Sequence, residues 1–75
     1  MIIKVTKECS PMEASVCTGG EYAVSGVEIF IDQNLDIRTQ RLNVIHAVLE
    51  CYFPSIIHDK IDELTQLIAD GLDEL

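Results

Sequence analysis

The side chains of this chain that invite chemistry are its two histidines and a surplus of carboxylates. His46 and Glu50 stand four residues apart in a stretch without glycine or proline, so a helix would place them one turn apart on one flank. That spacing lets a helix offer two ligands to one divalent ion. It is also the spacing at which a flank histidine hydrogen-bonds a carboxylate one turn on, and spacing alone favours this plainer reading. His58 and Asp59 could hold a second ion with Asp62, although consecutive polar residues at a helix start are usually solvated. Cys9, Cys17 and Cys51 are an odd number without C-x-x-C spacing. They read as reduced thiols of a cytoplasmic protein, serving as packing residues. Cys51 lies five residues from His46, on another helix face, so no thiolate–imidazole pair is expected. There is no Ser-His-Asp grouping and no glycine-rich phosphate loop. Tyr22, Phe30, Tyr52 and Phe53 are too dispersed to make a base-stacking platform.

The elements that must position these groups fall into two halves of a single domain, residues 1–75. Residues 1–32 carry β signals. Ile2, Ile3, Val5 and Thr6 form a β-branched opening run, and Met12 to Cys17 is a weaker strand closed by a turn at Thr18-Gly19-Gly20. A second break falls at Ser25-Gly26. The strongest strand is Val27–Asp32, with Val27, Ile29 and Ile31 on one face and Glu28, Phe30 and Asp32 on the other. Residues 33–75 then change to helical period. Asp36 is the expected N-cap of a first helix whose inward stripe is Leu42, Ile45, Val48, Leu49 and Tyr52. Pro54 ends it and Ser55 is the expected cap of the second helix. There Ile57, Ile61, Leu64, Ile68, Leu72 and Leu75 step by three or four, with Leu67 widening the stripe. Leu42, Ile45, Leu49, Ile61, Leu64 and Ile68 are therefore expected to be buried. The C-terminal acids oppose the helix dipole, so the last turn should fray. The fold class is α+β: a short antiparallel or mixed sheet of two to three strands, then two packed helices.

Composition narrows the function classes. Thirteen acids against five bases make a net charge of −8. The bases, Lys4, Lys7, Arg38, Arg41 and Lys60, form no stripe that could neutralise phosphates, which excludes nucleic-acid binding by charge. Mean hydropathy of +0.23 argues for a folded domain and for some apolar surface covered by a partner. A weak homodimer is expected, since two-fold dimers are the commonest oligomers. No apolar run approaches the roughly 18 residues of a membrane helix, and Met1–Thr6 has no signal-peptide pattern.

Ile29-Phe30-Ile31-Asp32, a polar connection, then Leu42-Asn43-Val44-Ile45-His46-Ala47-Val48-Leu49-Glu50 resembles the compact zincin-like metallopeptidases of phages and prophages. In that family a strand of type I-x-I-D leads into a helix reading L-x-H-E-x-x-H. A second helix bears an acidic ligand and ends in a phrase much like Leu67-Ile68-Ala69-Asp70-Gly71-Leu72. The resemblance covers residues 26–75 and implies a zincin-like fold. It sets His46 at the first zinc histidine, Ala47 at the catalytic glutamate, Glu50 at the second histidine and Asp62 near the third ligand. Alanine can neither take a proton from a metal-bound water nor deliver one, a loss worth about 10²–10⁴ in rate.

The resemblance thus implies a degenerate, non-catalytic domain acting as an interaction or regulatory protein of a mobile element, with no catalytic residue, no cofactor and no tight zinc. His46, Glu50 and Asp62 are the candidates should a metal bind, and a hydrolase with these altered ligands is the first alternative. An acidic protein-binding or DNA-mimicking module is the second.

Overall fold

The computed structural model describes residues 2–9, 15–19 and 24–75. Strands β1 (Ile2–Glu8), β2 (Ser15–Gly19) and β3 (Val24–Asp32) precede helices α1 (Ile37–Tyr52) and α2 (His58–Asp73). The strands form one mixed sheet in the order β1-β3-β2, with β1 parallel and β2 antiparallel to β3. This is the expected α+β class.

β3 is central because its β-branched residues suit a strand buried from above and flanked on both sides. Val27, Ile29 and Ile31 are buried, as their two-residue period required. Two expected breaks are corrected. Ser25 and Gly26 continue β3, and Thr18 and Gly19 continue β2. Gly26 interrupts the side-chain pattern without ending the strand, because its neighbours need the room. A Cβ there would lie 2.9 Å from the Ile2 carbonyl oxygen and 2.9 Å from the Thr18 hydroxyl. Gly26→Ala is accordingly expected to push β1 or β2 aside and cost about 1–3 kcal/mol, read as a lower urea midpoint. Residues 12–14 of the expected second strand, and Gly20 of its turn, lie outside the described residues.

Asp36 caps α1 as expected. Its carboxylate accepts from the Thr39 amide at 3.1 Å and from the Thr39 hydroxyl at 2.6 Å. The hydroxyl first, and the amide second, hold its carboxyl below the usual carboxylate range. A depressed acid stabilises the folded state above that range, and the contribution fades as pH falls through the lowered value. At the other helix the cap is Ile57, without a side-chain hydrogen bond, instead of Ser55. The turn after Pro54 takes up Ser55, so α2 starts three residues later.

The main correction concerns which face of α1 meets the sheet. Gln40, Ala47 and Cys51 are the buried residues of α1, and Val44 and Val48 pack beside them against Val27, Ile29 and Ile31. At about 100° per residue, this line lies more than a third of a turn from Leu42, Ile45 and Leu49. Those three are only half-buried, on the side where Arg38 and His46 meet α2. Small and polar residues let the helix approach the sheet closely, so the larger apolar stripe is left for the helix–helix contact. Gln40 earns its buried place by donating from its amide to the Leu35 carbonyl at 2.9 Å and to the Gln33 carbonyl at 3.3 Å. On α2, Ile61, Thr65 and Ala69 are buried and Leu64 is half-buried, whereas Ile68 is 41% exposed, not buried as expected. The last turn of α2 is also held. Arg38 reaches Asp70 at 2.8 Å and Asp73 at 3.0 Å, turning acids that oppose the helix dipole into partners of α1.

The cysteine reading is corrected as well. Cys17 of β2 and Cys51 of α1 form a disulfide, with Cα atoms 5.7 Å apart, and Cys9 is the free, exposed thiol. Parity and spacing along a chain do not reveal that a strand and a helix lie side by side. The bridge removes the ground on which a cytoplasmic setting was inferred. No helix among the described residues is long and apolar enough to cross a membrane.

Candidate metal centre

The last turns of α1 and the first turns of α2 face each other across the Phe53–Ile57 connection. α1 presents His46 and Glu50 one turn apart, and α2 presents His58 and Asp62 in the same way. Two i, i+4 pairs on facing helices thereby meet. His46 reaches the Glu50 carboxylate through Nε2 and Asp62 Oδ1 through Nδ1 at 3.2 Å. His58 reaches Glu50 through Nδ1 at 3.2 Å and Asp62 through Nε2 at 3.5 Å. The four side chains close a ring in which each imidazole bridges both carboxylates. The two imidazole centroids are 4.8 Å apart in an edge-on arrangement.

One ligand atom each from His46, Glu50 and His58 lies within 4.8 Å of the other two, with Asp62 against both histidines. The three groups close enough to share one ion are those of His46, Glu50 and His58, while Asp62 meets the opposite nitrogen of each imidazole. Imidazole nitrogen and carboxylate oxygen together suit zinc and also cobalt, nickel or manganese. The triad within reach of one ion is thus His46, Glu50 and His58, with His58 in the place that the resemblance gave to Asp62. His58 brings a second imidazole to the cluster from α2. Its i, i+4 relation to Asp62 is legible in the sequence, and both side chains are largely exposed, as expected of a helix start.

The surroundings give the ring one dry flank and one open one. The His46 side chain is 27% exposed and that of His58 is 65%. Beside Glu50 and His58 opens a cavity of about 280 Å³ lined by Phe53, Pro54, Ile56 and Ile61. A smaller one, about 160 Å³, runs from His46 and Glu50 past Asn43 and Ala47 to Ser15 and Phe30 of the sheet. Ala47, the position that the resemblance assigns to the catalytic base, is buried within the sheet-facing cluster at 4% exposure. Its methyl group carries no proton-transfer function.

No known family model matches the chain, and neither a curated protein nor a solved structure does.

Proposed function

We propose that this chain is a metal-binding interaction domain on a zincin-like scaffold, in which a divalent ion held by His46, Glu50, His58 and Asp62 clamps α1 to α2 without peptidase chemistry. The observation that carries this reading is the closed ring of two imidazoles and two carboxylates, drawn equally from two helices. With Asp62 turned in as the fourth ligand beside His46, Glu50 and His58, the ion is tetrahedral and has no ready position for a substrate water, which is the pattern of structural zinc. The methyl group of Ala47 supports the same side of the choice, since hydrolysis would also need a positioned acid–base group. The zincin-like part of this reading rests on the sequence resemblance, whose element order β3, α1, α2 is the one present here. The apolar cavity next to Glu50 and His58 supports an interaction role, because a partner side chain seated there would sense whether the clamp is closed.

The test is metal analysis together with activity. Protein dialysed against zinc and then buffer is expected to keep one equivalent per chain, and His46→Ala with His58→Ala to keep none. The same zinc-loaded protein is expected to leave unstructured peptide substrates intact. Peptide hydrolysis that disappears with His46→Ala would make the protein a hydrolase with altered ligands.

A further inference from the structure

Of the five basic residues, three are paired with carboxylates: Lys4 with Glu28, Arg38 with Asp70 and Asp73, and Lys60 with Glu63. The other two, Lys7 of β1 and Arg41 of α1, make no ion pair among the described residues, and both line one cavity of about 450 Å³. In a chain of net charge −8, two cations free of acids at a single mouth call for an anionic ligand. The cavity lies at the opposite end of the helix pair from the histidine ring.

Its apolar interior follows from the way α1 sits. β1 pairs with β3 so that Val5 stands beside Ile29 and Lys7 beside Ile31, on the face that α1 covers. α1 lies over β3 and is bridged to β2, and β1 is left without a helix above it. Val5 is thus 44% exposed although it belongs to the buried face. Ile31, Ile37, Val44 and Ile45 form the rest of the apolar wall together with Leu72 of α2. Asp70 and Asp73, which flank Leu72, pair with Arg38 at 2.8 and 3.0 Å and not with Lys7 or Arg41.

We propose that this cavity binds a small carboxylate with an apolar body, its chain along Val5, Ile31, Val44 and Leu72 and its carboxylate between Arg41 and Lys7. The volume falls in the range of about 300–1,000 Å³ typical of ligand pockets, which are apolar walls with a few placed polar groups. A guanidinium supplies a planar, two-pronged partner for a carboxylate and Lys7 a second, rotatable donor.

Octanoate is the probe. Titrated into nitrogen-15-labelled protein, it is expected to move the amide resonances of Val5, Lys7, Ile31, Arg41 and Val44, and to bind at least about tenfold more tightly than octan-1-ol, which shares the chain but not the charge. Arg41→Gln and Lys7→Gln, both at exposed side chains, are expected to weaken octanoate by about tenfold each while leaving octan-1-ol affinity and the remaining spectrum unchanged. Equal affinity for the acid and the alcohol would overturn the proposal, as would octanoate binding that survives both substitutions or no binding at millimolar concentration. The same resonances moving with protein concentration alone would overturn it too, and would give the groove to a second copy of the chain.

Discussion

Zinc added in excess to metal-free protein is expected to raise the midpoint of thermal unfolding by roughly 10–20 °C. A ligand present at a hundred times its dissociation constant stabilises the native state by about 2.7 kcal/mol. In a domain of this size each kcal/mol moves the midpoint by about 4–8 °C. The ion acts on folding because the unfolded chain has no preformed site: His46 and Glu50 meet His58 and Asp62 only when α1 and α2 pack. Substituting both histidines should abolish the shift, and His58→Ala alone should reduce it severely. That single variant is the informative one, since a merely solvated His58 could be removed without consequence. Protons compete with the ion for the imidazole nitrogens, so the stabilisation by zinc should shrink as the solution is acidified. A midpoint indifferent to zinc, or a shift that persists in the double variant, would remove the clamp.

Reduction of the Cys17–Cys51 bridge should destabilise the domain by about 4 kcal/mol, the loop-closure entropy of a covalent link spanning 34 residues. Total stability for a domain of this length is on the order of 4–11 kcal/mol, so the reduced protein should stand close to unfolding at physiological temperature. Cys17→Ser isolates the covalent term, because Cys17 is exposed whereas Cys51 is 4% exposed within the apolar cluster and would also leave a packing defect. Urea midpoints with and without reductant should differ for the unsubstituted protein and coincide for Cys17→Ser. Thiol titration of the oxidised, unfolded chain should find one reactive sulfur, that of Cys9. Three reactive thiols, or midpoints unaffected by reductant, would contradict the bridge. The link also bears on the histidine ring. Cys51 follows Glu50 directly, so the bridge anchors to β2 the turn of α1 that carries Glu50.

Much of the architecture was legible before any coordinates. The alternation of Val27, Ile29 and Ile31, the capping carboxylate of Asp36 and the stop at Pro54 are each set by neighbours within one pleat or one helical turn. A local pattern is enough to specify a local element. The same reach explains His46 with Glu50, a spacing fixed by the helix itself.

What the sequence did not show depends on how elements come together. The large residues Leu42, Ile45 and Leu49 suggested the buried face of α1, yet the sheet took the face of Gln40, Ala47 and Cys51, where small side chains allow close approach. Cys17 and Cys51 read as separate thiols because nothing along the chain records that β2 lies beside the end of α1. His58 is the exposed start of a helix that its neighbours suggested, but only the connection after Pro54 brings it against Glu50. Lys7 and Arg41 read as scattered charges until β1, left bare by α1, placed them at one mouth. By itself the sequence determined which elements form, in what order, and that one helix flank carries His46 with Glu50. Tertiary structure alone decided which faces meet, and so which distant side chains share a site, because that choice rests on shape and close packing between elements that no local period encodes.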